Sequence, residues 1–263
     1  LYDYGQEQAA QIGKENVYDF SIGNPSIPAP ACVQREMVRL AQEENPATIH
    51  GYTPAPGDPA VRQSMADYMN QTFDAHVRAA NFYITCGASA SLAIIMKTLV
   101  ETADDEIIVN APFFPEYRVF AESAGGKLVI VPADTKTFQL SLQGLEQAIT
   151  AHTKAVIINS PNNPSGIVYS ADTLQAVGTL LRQKEQELGH PIFLISDEPY
   201  REVIFDELPI LYVPKFYENT IVCYSYSKSL SLPGERIGYI LIPDEVSQNK
   251  ELFTAVCGAG RAL

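Results

Sequence analysis

The stretch Lys154-Ala155-Val156-Ile157-Ile158-Asn159 runs into Ser160-Pro161-Asn162-Asn163-Pro164-Ser165-Gly166, an amphipathic segment over Ala171–Leu188, and then Pro191-Ile192-Phe193-Leu194-Ile195-Ser196. The two apolar runs are short, rich in Val and Ile and bounded by turn residues, so each reads as a buried strand. The segment between them carries helical periodicity. A strand, a helix and a second strand in that order predict neighbouring strands of a parallel sheet, covered by helices.

The same alternation extends outward in both directions. Strands are expected at Phe82–Thr85, Glu106–Asn110, Lys127–Pro132, Thr220–Tyr224 and Arg236–Ile242. Helices are expected at Ala88–Glu101, Pro115–Ala124 and Leu142–Thr150, and from Asp244 onward. The fold class is therefore α/β, with a mostly parallel central sheet and helices on both faces. The chain before residue 80 has another texture. Asp19–Pro30 is Pro-rich and extended, Ala31–Glu44 is helical, and Gly51–Asp58 is a turn-rich loop leading into a helix from Pro59. No internal repeat or low-complexity tract interrupts this plan.

Composition narrows the function classes. With 263 residues and 46% hydrophobic content, the chain can bury a large core. Its 18 basic and 31 acidic residues give a formal charge of -13, which argues against nucleic acid or an anionic membrane as partner. A small anionic ligand stays possible, because helix N-termini and a single arginine can create a local positive site. Cys32, Cys86, Cys223 and Cys257 show neither CxxC nor zinc spacing, so no metal site is expected. They read as reduced, mostly buried thiols of a cytoplasmic protein. No apolar run reaches membrane-spanning length and the N-terminus has no signal-peptide pattern. Leu1 opens without Met, and the segment Ala255–Leu263 stops as if it continued, so the chain is expected to be a fragment.

In an open α/β sheet, ligands bind beyond the carboxyl ends of the strands. The residues just past each strand are therefore the ones to inspect. Thr85-Cys86-Gly87-Ala88-Ser89-Ala90-Ser91 opens a helix with small residues, which suits an anion on the free N–H groups, although taken alone it more often marks a tight strand-to-helix turn. It is neither a Walker A loop, nor GxGxxG, nor a complete nucleophile elbow. In Ser160–Gly166, Asn163 is flanked by prolines as a rigid hydrogen-bond donor, and a cis Asn163–Pro164 bond would aim it.

Asp197-Glu198-Pro199-Tyr200 offers a carboxylate and a phenol able to pair with a cationic ring nitrogen and a neighbouring ring oxygen; a helix cap and a core tyrosine are the alternative. Finally, Ser225-Tyr226-Ser227-Lys228-Ser229-Leu230-Ser231 places a lysine among hydroxyl residues past an apolar strand, where it can be desolvated and nucleophilic rather than a solvated charge. Ser225 and Arg236 could hold a phosphate.

Taken together, Ser-x-Ser-Lys with an arginine eight residues after the lysine, preceded by Asp-Glu-Pro-Tyr and Asn-Asn-Pro-Ser-Gly, resembles the fold-type I enzymes dependent on pyridoxal 5′-phosphate (PLP), specifically the class I/II aminotransferases of aspartate/aromatic type. The resemblance runs from about Phe20 to the end of the chain. It implies a 31–263 PLP-binding large domain preceded by a 1–30 N-terminal segment, an arm or part of a small domain. It implies that Lys228 forms the internal aldimine and shuttles a proton, with Asp197 keeping the pyridine nitrogen protonated and Tyr200 and Asn163 bonding the ring oxygen. Ala88, Ser89, Ser225 and Arg236 would hold the phosphate, and Phe114 would stack on the ring.

Tyr52 would reach the phosphate of a partner subunit, which implies a homodimer. Gly23, with Asn163, would lie at the substrate. The family's C-terminal small domain, with the arginine that pairs the substrate carboxylate, has no match here, and Arg261 has no role. The implied reaction is amino-group transfer between an amino acid and a 2-oxo acid. Alternatives are a carbon–sulfur β-lyase of the same fold and a non-enzymatic PLP-binding regulatory module. The spacing of Arg236 and the Asn-Asn-Pro-Ser-Gly motif favour transfer, and no basic helix-turn-helix arm supports the module. The donor amino acid stays open among acidic, aromatic and alanine-type substrates.

Overall fold

Among the described residues seven strands form one sheet: β1 (Phe82–Thr85), β2 (Glu106–Asn110), β3 (Lys127–Val131), β4 (Thr153–Asn159), β5 (Phe193–Asp197), β6 (Thr220–Ser225) and β7 (Gly238–Leu241). Their order is β1-β7-β6-β5-β4-β2-β3. Strands β3, β2, β4, β5 and β6 are parallel, whereas β7 is antiparallel to both β6 and β1. With β7 reversed between them, β1 points the same way as the parallel set, so the carboxyl ends of six strands share one edge. This is a computed structural model that describes residues 2–18 and 23–262. Asp19–Ile22, at the head of the Pro-rich stretch, lie outside the described residues, as do Leu1 and Leu263.

Ten helices accompany the sheet among the described residues: α1 (Tyr2–Ile12), α2 (Ala31–Glu43), α3 (Pro46–Ile49), α4 (Pro59–Phe73), α5 (Ala88–Leu99), α6 (Glu116–Ser123), α7 (Leu142–Ala148), α8 (Ala171–Leu188), α9 (Tyr226–Ser229) and α10 (Asn249–Arg261). Side-chain alternation along the strands sorts them into layers. Ile107, Val109, Ile195 and Cys223 face α5, α6 and α10. Ile108, Val156, Ile158 and Leu194 face α7 and α8, and on that same side Val222, Tyr224 and Leu241 face α4. Apolar residues pointing both ways make the central strands continuous hydrophobic runs, as a sheet covered on both faces requires.

Local signals set the helix starts. Asp58 accepts from the N–H groups of Ala60 and Val61 while Pro59 takes the first helical position of α4. Ser170 caps α8 by accepting from Thr173, and Gly189 ends it in the left-handed conformation.

Three expectations need correction. The strand expected at Arg236–Ile242 begins only at Gly238, because Arg236 adopts φ +54° and leaves the extended region. The helix expected from Asp244 begins at Asn249. Asp244 instead receives a fork from Arg78 (2.7 and 2.9 Å) and the amide of Asn81 (2.7 Å), which holds it in a turn. Among the four free thiols only Cys223, on central strand β6, is buried; Cys257 is half-buried, and Cys32 and Cys86 are exposed. Cys32 lies on α2, which buries none of its residues, and Cys86 sits in an open strand-to-helix turn. No helix among the described residues is long and apolar enough to cross a membrane.

Gly178, midway along α8, faces the backbone carbonyl of Phe216, and a Cβ there would overlap that oxygen. Gly178→Ala gains about 1 kcal/mol of helix propensity. The clash outweighs it, so the substitution should destabilise the protein by about 1–3 kcal/mol. A thermal midpoint that stays put or rises would show that α8 can move off this carbonyl.

Candidate active site

The shared edge of strand ends carries the polar residues. The β4–β5 register sets Asn159 beside Asp197, and the β5–β6 register sets Asp197 beside Cys223, just before Ser225. Across the reversed strand, Thr85, Gly238 and Ser225 align through β1, β7 and β6. Backbone pairing alone therefore gathers segments more than a hundred residues apart.

One amide ties two of these segments together. Asn159 donates to the carbonyl of Asp197 (2.8 Å) and accepts from the N–H of Asn163 (2.6 Å). The Asn163–Pro164 peptide is cis, as expected. The loop is held further by Asn162, whose side chain accepts from the backbone and hydroxyl of Ser165.

Asp197 is 4% exposed. Its Oδ2 accepts from the Tyr117 hydroxyl at 2.6 Å, while its Oδ1 is buried without a partner. Burial pushes this carboxyl up to about 7, against the opposing hydrogen bond from Tyr117. Tyr117, itself buried on α6, is held well above its usual range by burial and by the neighbouring carboxyl, so it stays a donor. Half-buried Tyr200 is likewise pushed up by burial and by Asp197, with the Asn163 side chain acting against them.

Lys228 sits on α9, whose start is capped by Ser225 accepting from the N–H of Ser227. The Ser225 and Ser227 hydroxyls are 2.7 Å apart. The Lys228 amine donates to the carbonyl of Gly23 at 2.5 Å, and burial lowers its pKa.

Facing it is the N-terminus of α5, where Gly87 (φ +90°) precedes the helix and no side chain caps the first N–H groups. Arg236 packs directly against Gly87, so a Cβ there would stand 2.9 Å from a guanidinium nitrogen. Gly238 lets the strands close behind it, since a Cβ would lie 2.9 Å from the Gly87 Cα. The result is a concave patch with open N–H groups, serine hydroxyls and a guanidinium, which is the chemistry of an anion site.

These features line one cavity of about 510 Å³. Ala88, Ser89, Phe114, Asn163, Asp197, Tyr200, Ser225, Lys228, Arg236 and Gly23 all contribute to it. Tyr52 does not; it is fully exposed. Reading the sequence missed Asn159 and Ser227, which also line the cavity, and Tyr117, which reaches it through Asp197. A polar residue closing the apolar run of β4 was a usable signal for Asn159. Nothing local marks Tyr117.

The family described as aminotransferase class I and II matches residues 15–256. The chain belongs to that family. It is 31% identical to a probable aspartate aminotransferase of Methanocaldococcus jannaschii, over 92% of this chain and 60% of that protein. It is also 31% identical to a probable N-acetyl-LL-diaminopimelate aminotransferase of Bacillus subtilis, over 89% of this chain and 57% of that one. The crystal structure of an amino transferase from Eubacterium rectale superposes with a TM-score of 0.96 at 56% identity, covering 99% of this chain and 66% of that chain. This chain thus spans about 60% of the length of the curated relatives it matches. Enzymes of the family are PLP-dependent.

A raised carboxyl pKa is also a stability statement. Because the folded-state value of Asp197 lies above its ordinary value of 3.8, the stability tied to its protonated form is complete below that value and is lost as pH rises through about 7. Asp197→Asn keeps an acceptor for Tyr117 and carries no charge. In cofactor-free full-length protein the variant and wild type should melt alike near pH 4, and the variant should lead above pH 7 by at most about 4 kcal/mol. Parallel melting curves across that range would show that burial does not hold the carboxyl up.

Proposed function

We propose that this chain is the cofactor-holding part of a PLP-dependent aminotransferase, which moves an amino group between an amino acid and a 2-oxo acid. The observation that carries the reading is that Lys228, the unpartnered oxygen of Asp197 and the open N-terminus of α5 line the same cavity.

The residues fit the cofactor on two independent counts. Asp197 Oδ1 is a buried acceptor lacking a donor, and a cationic ring nitrogen is the donor it lacks. The patch formed by Ala88, Ser89, Ser225 and Arg236 combines an uncapped helix N-terminus, hydroxyls and a guanidinium, the donors a phosphate takes. Tyr200 and Asn163 would bond the ring oxygen, Phe114 would cover a ring face, and Lys228 would form the covalent link. When bound, PLP supplies an electron sink for negative charge at the substrate Cα.

The remaining chemistry belongs to the protein. The Lys228 amine, with its pKa lowered by burial, is readier to be neutral and so to take a proton from Cα. A cation against Oδ1 draws Asp197 from its value of about 7 toward the ionised form, and the carboxylate then holds a proton on the facing nitrogen. Tyr200, pushed up by its surroundings, stays protonated and donates. Leu92, Phe114 and Pro199 give the cavity an apolar wall.

Gly23 and Asn163 would meet the substrate. The complete enzyme is a homodimer in this reading, with exposed Tyr52 reaching the partner's phosphate site. The relatives named above carry aspartate and N-acetyl-LL-diaminopimelate in their names, so amino acids with a second carboxylate head the donor screen.

Full-length protein reconstituted with PLP should be fixed covalently by borohydride, and Lys228→Ala should abolish the fixation. A variant still fixed at wild-type yield would remove Lys228 from its role. A productive donor should convert the bound cofactor stoichiometrically to pyridoxamine phosphate. Release of pyruvate and ammonia instead would reassign the reaction to a carbon–sulfur lyase.

A further inference from the structure

Beneath the cavity, on the opposite face of the sheet, lies a buried charge cluster that the chemistry above does not use. Arg201 is 2% exposed and follows β5 by four residues. Its guanidinium donates to Glu198 (3.1 Å), to Glu202 (3.0 Å) and to the Tyr239 hydroxyl (3.2 Å). It also stacks over Tyr224 at 4.2 Å and Phe73 at 5.1 Å. Glu198 is as deeply buried as Arg201, and Ser196 donates to it at 2.7 Å.

The cluster continues toward the lysine. The Tyr224 hydroxyl donates to Glu202 at 2.8 Å and meets the Ser229 hydroxyl at 2.7 Å. A phenol has one proton. Since Glu202 takes it, the Ser229 hydroxyl must be the donor to Tyr224. Ser229 is the last residue of α9, next to Lys228. A continuous chain of hydrogen bonds, charge-assisted at its Arg201 and Glu202 links, therefore runs from the residue after Asp197 to the residue after Lys228, on the side of the sheet away from the cavity.

We propose that Arg201 is a positioning residue that fixes the turn carrying Lys228, acting through Glu202, Tyr224 and Ser229. The inference rests on the reading of Lys228 as the cofactor-bonding lysine. A buried ion pair returns little or no net stability, because desolvation consumes the Coulombic gain, and an apolar replacement would serve the core as well. What the cluster adds is direction. Guanidinium, carboxylate and phenol each have fixed donor or acceptor geometry, whereas a packed apolar side chain tolerates sliding. The α9 helix is a single turn whose one buried residue is Ser227, and the Ser229 hydroxyl ties its far end to the ring of Tyr224 beneath the sheet.

The test uses the full-length protein, freed of cofactor and mixed with PLP. It reads the rate of covalent capture, the induced circular dichroism of the captured cofactor, and the melting temperature. Tyr224→Phe keeps the ring over Arg201, and Ser229→Ala deletes one hydroxyl. Each should slow capture by up to roughly tenfold, the upper scale of one ordinary hydrogen bond, and weaken the dichroism, with melting within a few degrees of wild type. The two together should be no worse than either alone, and Ser229→Thr should restore both readouts.

Removing both buried charges, Glu198→Met with Arg201→Met, should reproduce the slow capture in a folded protein. If that pair fails to fold, the Tyr224 and Ser229 variants decide. Wild-type capture and dichroism in these variants, whether or not melting falls, would leave the cluster purely structural and overturn the inference. Failure of the parent reading looks different: Lys228→Ala would still be fixed by borohydride.

Discussion

The carboxyl group of Asp197 has Tyr117 on one oxygen and no partner among the described residues on the other, almost out of reach of solvent. A polar atom buried in this way costs free energy that the rest of the structure must offset. The surroundings are built to hold it there. Strand β5 is paired on both sides, so its end cannot swing toward water. Asn159 grips the Asp197 carbonyl, and the segment that follows is anchored by Glu198 and Arg201 on the opposite face. A site kept at a cost to stability is a common mark of function.

The direction of the strands turns that buried group into a site. Five parallel strands and β1 end at one edge, and the reversed strand β7 begins there, so Asp197, Ser225, Gly87 and Arg236 converge without long loops. Two glycines make the convergence tight. Gly87 has a positive φ that a side chain would strain and lies against the Arg236 guanidinium, and Gly238 lies against the Gly87 backbone. The anion patch is thus a product of close backbone approach as much as of its charged residue. In a chain with a formal charge of -13, such a patch must be made locally, from helix N–H groups and a single guanidinium.

Much of the sheet was legible because buried strands are written as short apolar runs, rich in Val and Ile in β2 to β6, and each described strand falls on such a run. The helix α8 was legible to the residue, since Ser170 and Gly189 punctuate both ends. Boundaries governed by distant partners were not. Asp244 reads as a helix start until Arg78 and Asn81 claim it. Cysteine burial was misread because average preference says nothing about whether a given helix has a neighbour, and α2 buries nothing.

By itself the sequence determined the α/β class, the place of each strand and the polar residues that close them: Asn163, Asp197, Ser225 and Lys228 are readable because polar groups at the ends of apolar strands must face a ligand, a cap or water. Tertiary structure decided which of those groups act together. That Tyr117 serves Asp197 across 80 residues, that Arg236 covers Gly87, and that Arg201 is linked to Ser229 through Tyr224 depend on strand order and register. Hydrogen bonds and ion pairs are short-ranged, and the distances they depend on exist only after the sheet has assembled.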